Sequence, residues 1–250
     1  MQQQNQAQTP PGLSDGYLPI EDYGIIGDLH TVALIGKNGS IDWCCIPRFD
    51  APSVFGALLD SQKGGFFRLA PPYVPGMTRK QIYIPDTNIL ITRFLSVSGV
   101  CEVIDFMPIK EVDSKSHQHH IIRSVHVVRG SMPIEMVCKP AFNYARDTHE
   151  VHLSKDGAIF TSQHLCLGLA STVPVEEDGQ GGVHATHYKK INMPTSCWKA
   201  RKTMISHHNV SQIDTIRSYS RAPKTTGNTG LHSVNIKVAG VKPCIVRPSL

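Results

Sequence analysis

Acidic side chains are the first residues in this sequence that could do chemistry. Two carboxyl groups about 5–10 Å apart can act as general acid and general base on one bond. Asp60 and Asp86 stand beside a predicted helix end and a turn, where Asp usually caps or closes the backbone. Asp105 lies between apolar residues, which favours a structural hydrogen bond. The candidates for such a pair are Glu21, Asp22, Asp28, Asp42, Asp50, Asp60, Asp86 and Asp105.

A second group of candidates lies between residues 42 and 50. Asp42 and Trp43 precede a pair of cysteines, and Arg48 and Asp50 stand two positions apart. An Arg–Asp pair at this spacing can hold a loop corner by charge-assisted hydrogen bonds. Alternatively, a Trp ring with Arg and Asp beside it can stack on a sugar and bind its hydroxyl groups. The residue types favour the corner, and the sugar site stays open as the alternative.

Histidines form the third group, in the segment "SKSHQHH". His117, His119 and His120 could share a metal ion, but such a site needs three or four convergent ligands. No acid or cysteine stands at ligand spacing, so a solvated loop is predicted, with no metal and no cofactor. The motifs GxSxG, HExxH, GxGxxG and GxxxxGK[ST] are missing from the sequence, and no catalytic residue is predicted from the pattern.

The elements that position these residues are predicted to be β-strands. "TVALIG" and "IDWCCI" are apolar runs joined around Asn38-Gly39, the strongest short signal for a hairpin. Pro47 cannot donate a backbone hydrogen bond and is expected to end the second strand. The following segment, residues 53–61, is predicted to be a short helix with Ser53 as its N-cap.

Ten or eleven short strands separated by turns are predicted over residues 24–190. In "NILITRFLSV", Ile89, Ile91, Arg93 and Leu95 alternate with Leu90, Thr92 and Phe94, as in a strand with two distinct faces. This pattern indicates an all-β fold, an antiparallel β-sandwich. The further predicted strands are GGFFRLAP, TRKQIYIP, VCEVIDFMPI, HIIRSVHVVRG, PIEMVCKPAF, EVHLSKDG, AIFTSQHLCLGLAS and GVHATHYKKI.

The composition is that of a globular chain without a membrane span. Residues 1–16 are polar and rich in proline and glycine, which predicts a flexible arm and no secretion signal. The seven cysteines include no CxxC pair, and most stand in apolar surroundings, as expected for reduced thiols in a cytoplasmic protein.

The last 60 residues differ from the rest of the chain. Residues 191–250 carry nine Lys or Arg against one Asp and contain no Glu. Their basic residues are scattered and lack interleaved aromatic residues, so nucleic-acid binding is not predicted. Weak periodicity predicts a basic tail of low order, in which "SCWKARKTMI", "SVNIKVAG" and "PCIVRP" are the only candidate elements.

One long stretch resembles a known family. "YLPIEDYGIIGDLHTVALIGKNGSIDWCCIPRFDAPSVFGALLD" is similar to the amino-terminal segment of the glucoamylase- and trehalase-like proteins of glycoside hydrolase family 15. "RFLSVSGVCEVIDFMPI", "IIRSVHVVRGSMPIEMVCKPAFNYAR" and "LCLGLASTVPVE" resemble later strands of that family in the same order. The resemblance covers residues 17–190.

The resemblance implies a β-sandwich followed by an (α/α)6 barrel that holds two catalytic glutamates. Sixty residues are too few for the roughly twelve helices of such a barrel. The expectation is therefore an amino-terminal domain at residues 17–190, truncated before its catalytic barrel and inactive alone. The alternative is a module that binds an α-glucoside or docks onto a barrel-bearing partner. In either case Asp42, Trp43, Arg48 and Asp50 are expected to form the corner that faces the barrel.

Overall fold

The computed structural model describes residues 17–109, 119–187 and 231–238, the last range and His187 as backbone alone. These residues form sixteen β-strands in two antiparallel sheets, with a 3-10 turn at Ile20–Asp22 and one helical turn, α1, at Phe142–Ala145. The predicted all-β antiparallel sandwich is confirmed.

The first sheet contains eight of the described strands. Its hydrogen-bonded order is β1-β2-β3-β5-β10-β15-β14, and β4 pairs with the far end of β3. The strands are β1 (Tyr23–Gly27), β2 (Val32–Gly36), β3 (Ser40–Cys45), β4 (Ser53–Phe55), β5 (Phe66–Ala70), β10 (Ile134–Lys139), β14 (Glu176–Glu177) and β15 (Val183–His187).

The second sheet contains the other eight described strands in the order β11-β12-β13-β16-β9-β8-β7-β6. They are β6 (Thr78–Tyr83), β7 (Leu90–Leu95), β8 (Gly99–Phe106), β9 (His119–Gly130), β11 (His149–Ser154), β12 (Gly157–Ser162), β13 (Cys166–Ser171) and β16 (Leu231–Val238).

Strand β16 comes from the predicted basic tail and lies inside the second sheet. Residues 231–238 pair with β9 from His119 to His126, and residues 234–237 pair with β13. The weak strand predicted in "SVNIKVAG" is therefore present. It lies between β13 and β9, and no other described strand connects these two. The candidate elements "SCWKARKTMI" and "PCIVRP" lie outside the described residues.

The β2–β3 hairpin has the predicted position but a different turn. Only Gly39 takes a positive φ, +79°, and its N–H donates to the Gly36 carbonyl at 2.8 Å. The turn therefore spans residues 36–39 and ends in one left-handed residue, as in a three-residue hairpin loop. A Cβ at Gly39 would stand 2.6 Å from the Leu69 carbonyl oxygen, so the close approach of β5 also requires glycine.

Alternation on β7 separates two apolar clusters. Leu90 and Phe94 belong to the main core between the sheets, while Ile89 and Ile91 join Ile104 and Phe106 in a second buried cluster. The two faces predicted for this strand are thus confirmed, and both are apolar.

Two local predictions are wrong. Residues 53–55 form strand β4, because they pair with Cys44 and Cys45 of β3 instead of starting a helix at Ser53. The segment predicted as one strand at residues 158–171 is two strands, β12 and β13, with a turn at residues 163–165. In both places pairing with a neighbouring strand overrides the local signal.

A buried ion pair connects the two sheets. Arg123 of β9 donates to both carboxylate oxygens of Asp105 on β8, at 2.8 and 3.2 Å. The same guanidinium donates to the carbonyls of Phe67 and Gly39 in the first sheet, at 2.7 and 2.8 Å. The structural hydrogen bond predicted for Asp105 is confirmed. Burial raises the pKa of the Asp105 carboxyl, and the charge of Arg123 opposes that effect.

Candidate interaction site

The four residues predicted to form one corner fall into two groups. Within the described residues, no hydrogen bond, ion pair or ring contact joins Asp42 or Trp43 to Arg48 or Asp50. The Asp42 carboxylate accepts from the side chains of Tyr23 and Ser40, the Trp43 ring contacts a turn after β10, and the Arg48–Asp50 pair lies in the loop between β3 and β4. The shared corner remains a prediction about where a partner would dock.

Asp42 is buried and structural in its contacts. Its carboxylate accepts hydrogen bonds from the Tyr23 hydroxyl at 2.8 Å and from the Ser40 hydroxyl at 2.5 Å. Burial of Tyr23, followed by the charge of Asp42 and their hydrogen bond, raises the pKa of Tyr23 above its ordinary value. Asp42 is also the extra residue of a β-bulge, because Ile41 pairs with Ile35 while Trp43 pairs with Leu34.

The bulge at Asp42 stands beside Trp43, and a bulge of this kind re-aims the neighbouring side chains. The Trp43 ring lies against the Tyr144 ring, with centroids 6.4 Å apart and planes tilted by 42°. The Arg146 guanidinium carbon lies 5.7 Å from the centre of the Tyr144 ring. We call these three residues the aromatic corner. Trp43 is half-buried, whereas Tyr144 and Arg146 are exposed.

Tyr144 is carried by a left-handed turn. Asn143, Tyr144 and Ala145 have φ angles of +53°, +58° and +62°, although none of them is glycine. Such a conformation costs roughly 1–2 kcal/mol per residue, less for asparagine. The turn is held by the Ala141 N–H, which donates to the Val54 carbonyl at 2.8 Å, and by buried Phe142.

Arg48 and Asp50 form a two-point ion pair on the surface. The Nε and one terminal nitrogen of Arg48 donate to the two oxygens of Asp50, each at 3.0 Å. The pairing predicted from their spacing is confirmed. Both side chains are more than half exposed, at 65% and 55%. Phe49, between them, is 69% exposed.

A second exposed apolar side chain stands at the same end of the molecule. Leu29, in the turn between β1 and β2, is 85% exposed and has φ +73°. The Phe49 N–H donates to the carbonyl of His30, the residue after Leu29, at 3.1 Å. This hydrogen bond connects the loop that carries Phe49 to the turn that carries Leu29. We call Leu29, Arg48, Phe49 and Asp50 the loop end.

A buried carboxylate–histidine pair underlies the loop end. Asp28 accepts from the Nδ1 of His119 at 2.6 Å and from the backbone N–H groups of His30 and Thr31 at 3.1 and 3.0 Å. Burial alone would raise the pKa of Asp28, but these hydrogen bonds outweigh it, and the pKa lies below its ordinary value. His119 is thus buried in β9, and the prediction that it belongs to a solvated loop is wrong. His117 lies outside the described residues.

The remaining candidate carboxylates serve turns and surface ion pairs. Asp22 pairs with Lys37, and Asp60 accepts from the N–H groups of Gln62 and Lys63 at 2.9 and 3.0 Å. Asp86 is an exposed turn residue with φ +58°. Glu21 is exposed in the 3-10 turn. Among residues 17–109, 119–187 and 231–238, no group of three potential ligands is placed to hold a metal ion.

The cysteines of the described residues are free thiols. Cys44, Cys45, Cys101 and Cys138 are buried, and Cys166 is half-buried. Burial raises the pKa of Cys101 to about 12, with a smaller contribution from Glu102. It also raises the pKa values of Cys44, Cys45 and Cys138, so these thiols behave as small core residues.

Sequence reasoning missed Tyr144, Arg146, Leu29 and Phe49 as functional candidates. The pairing of Trp43 with Tyr144 spans about a hundred residues and leaves no local signal. The apolar residue between opposite charges in "RFD" was a usable signal for Phe49, because the charges pair and leave its ring outside. No described helix is long and apolar enough to cross a bilayer.

The comparisons with known proteins assign the chain to one family. The family described as "Trehalase-like, N-terminal" matches residues 14–222, and the chain belongs to that family. It is 30% identical to the trehalase of Thermoplasma volcanium over 220 residues, which is 85% of this chain and 33% of that protein. It is 37% identical to the trehalase of Mycolicibacterium smegmatis over 150 residues, 54% of this chain and 22% of that protein. No solved structure matches the chain.

The chain spans only about a third or less of the length of these relatives. The description of the matching family assigns the match to an N-terminal region. Strand β16 lies beyond the matched residues, although it completes the second sheet.

Proposed function

We propose that this chain is the β-rich front module of a trehalase-type hydrolase of glycoside hydrolase family 15, acting in carbohydrate metabolism. The module carries no bond cleavage of its own and docks through the loop end onto a helical catalytic half. The observation that carries the proposal is the family match over residues 14–222, together with relatives named trehalase that are about three times as long.

The candidate carboxylates support the absence of turnover in the module. Asp28, Asp42 and Asp105 are each engaged in buried hydrogen bonds, and Asp50 is paired with Arg48. An inverting hydrolysis needs one carboxylic acid and one carboxylate facing a bound sugar with a water between them. Carboxylates that already accept from hydroxyl groups, backbone N–H groups or a cation are poorly suited to either role.

Leu29 supports docking at the loop end. A water-exposed residue with a left-handed backbone conformation is ordinarily Gly, Asn or Asp. A branched apolar side chain is strained in that conformation, and its exposure to water does not offset the strain. Leu29 has both properties, so its side chain gains most from a surface that covers it. Phe49 adds a second exposed apolar side chain, and it lies between the paired residues Arg48 and Asp50. An exposed apolar cluster rimmed by polar residues is typical of an interaction surface.

The buried, high-pKa thiols and the absence of disulfides among the described cysteines support a cytoplasmic location for this module.

The test combines this chain with the remaining part of a trehalase relative. The full chain is co-expressed with the part of the Thermoplasma volcanium trehalase that follows its matched third. We expect the two to co-purify and to release glucose from trehalose together, while the purified chain alone releases none from trehalose, maltose or starch. Phe49→Ser should reduce capture at least about tenfold, as for a central apolar contact. Val97→Ser, at a fully exposed position between β7 and β8, is the matched control.

Glucose release by the chain alone would contradict the proposal that this module cleaves no bond without the catalytic half. Equal capture by Phe49→Ser and Val97→Ser would remove the loop end as the docking surface and leave the family assignment intact.

A further inference from the structure

Two backbone irregularities from different parts of the chain converge on one pair of aromatic rings. The bulge at Asp42 lies next to Trp43, and the left-handed turn at residues 143–145 carries Tyr144. The rings meet with centroids 6.4 Å apart. Either irregularity alone has a local explanation, but their meeting places two large rings and a guanidinium at the surface of one sheet.

The left-handed turn is the more informative irregularity. Three consecutive non-glycine residues with positive φ are rarely retained where the chain could relax, and such strain concentrates at functional sites. The surrounding contacts hold the turn firmly. Phe142 is buried against the ring of His149, with centroids 5.2 Å apart, and the side-chain amide of Asn143 donates to Asp147 at 2.9 Å. Tyr144, 40% exposed, is therefore carried by a turn that contacts on both sides hold in place.

Three hydrogen-bonding groups of the aromatic corner are uncommitted. Within the described residues, the indole N–H of Trp43, the hydroxyl of Tyr144 and the guanidinium of Arg146 make no hydrogen bond or ion pair. The indole and guanidinium groups are donors, and the phenol can donate or accept. The corner thus combines two amphipathic ring faces with polar groups on their rims.

We propose that the aromatic corner binds a neutral α-linked glucose disaccharide. The apolar C–H face of a pyranose ring stacks on an aromatic ring, and its equatorial hydroxyls reach donors at the ring edge. A disaccharide offers one ring to Trp43 or Tyr144 and hydroxyls to Arg146. This inference rests on the proposed function: the site would hold substrate or product on the front module.

The charge at the corner argues against a cationic ligand. Arg146 already lies 5.7 Å from the Tyr144 ring, so a ligand cation would be repelled from the same face. The rings lie at an open surface, since Tyr144, Ala145 and Arg146 are all exposed. An exposed surface of this kind suits a hydroxylated ring better than an apolar ligand.

Trp43 itself supplies the readout. The chain has two tryptophans, so Trp198→Phe leaves Trp43 as the sole indole fluorophore. The full chain with this substitution is titrated with trehalose and with maltose, and sorbitol serves as an acyclic polyol control. We expect a saturable change in Trp43 emission with the disaccharides and a linear, non-saturating response with sorbitol.

The left-handed turn provides matched variants that do not threaten the fold. Tyr144→Gly removes the ring and relieves strain, because glycine takes φ +58° at no steric cost. Ala145→Gly relieves the same kind of strain and keeps the ring. We expect Tyr144→Gly to weaken disaccharide binding at least about tenfold and Ala145→Gly to leave it unchanged.

Saturation transfer from trehalose protons in NMR gives a second measurement on the chain with both tryptophans. A response to trehalose that does not saturate, or equal titrations for Tyr144→Gly and Ala145→Gly, would overturn the proposal. Docking and sugar binding are separable, since Phe49→Ser should lose capture of the catalytic half and keep the Trp43 titration.

Discussion

Two Arg–Asp pairs in this molecule have the same chemistry and opposite surroundings. Arg123 and Asp105 are fully buried, and the guanidinium also bonds two carbonyls of the facing sheet. Arg48 and Asp50 make an equally regular two-point contact, but both remain more than half exposed. The first pair joins the two halves of the sandwich, and the second only shapes a loop.

The difference shows that geometry alone does not measure what an ion pair does. In the core, every donor of Arg123 that loses its partner stays out of reach of water, so the pair is costly to break. On the surface, water and salt replace the partner, and the pair contributes little to the free energy of unfolding. What the surface pair can still control is the position of Phe49.

Arg123→Ala should lower the free energy of unfolding by about 3–5 kcal/mol, because it leaves the Asp105 carboxylate and two carbonyls unpaired in the core. Urea unfolding followed by circular dichroism measures the loss. The double replacement Arg123→Met with Asp105→Leu should be less harmful than Arg123→Ala, since it removes both charges together. A double variant that is the less stable of the two would contradict this account of the buried pair.

Asp28→Asn should cost about 1–3 kcal/mol near neutral pH, because Asp28 accepts three hydrogen bonds in a buried site. The folded pKa of Asp28 lies below its unfolded value of 3.8, so its contribution is present above that value and is lost as pH falls through the folded pKa. Unfolding curves at several pH values should therefore show the difference between wild type and variant shrinking below pH 3.8. A difference that stays constant down to the lowest pH would be inconsistent with this linkage.

Leu29→Gly and Ala145→Gly should each raise the free energy of unfolding by up to about 1 kcal/mol, because both residues have positive φ. Thermal melts of the two variants beside wild type measure the effect. Leu29→Gly should also weaken capture of the catalytic half, whereas Ala145→Gly should not. Lower melting temperatures for both would mean that the left-handed residues are not strained.

Arg48→Ala should change the free energy of unfolding by less than about 1 kcal/mol, the value expected for an exposed ion pair. Its effect should instead appear in docking, because Phe49 loses the flanking ion pair that we expect to fix its position. Urea midpoints and capture assays on the same preparations separate the two effects. A loss of stability as large as that of Arg123→Ala would show that exposure does not distinguish the two pairs.

Much of the architecture was predictable because its signals are local. Alternation in "NILITRFLSV", the Asn-Gly turn and the two-residue spacing of Arg48 and Asp50 all act within a few residues, and the structure confirms the strand faces, the hairpin and the ion pair. The prediction of a structural role for Asp105 succeeded for the same reason, since an acid between apolar strand residues must find a partner.

The rest was decided by contacts between distant residues. His119 and Asp28 are 91 positions apart and became a buried pair, although the local signal around His119 indicated a solvated loop. Residues 53–55 became strand β4 because β3 offered unpaired backbone groups, and β16 joined the centre of the second sheet from the basic tail.

The sequence by itself therefore determined the all-β class, the family and the surface ion pair, because periodicity, turn chemistry and motifs need only near neighbours. Only the tertiary structure decided that Trp43 belongs with Tyr144 and not with Arg48. The contact between Trp43 and Tyr144 depends on a bulge in β3 and on a left-handed turn after β10. Contacts with residues outside each segment decide both features.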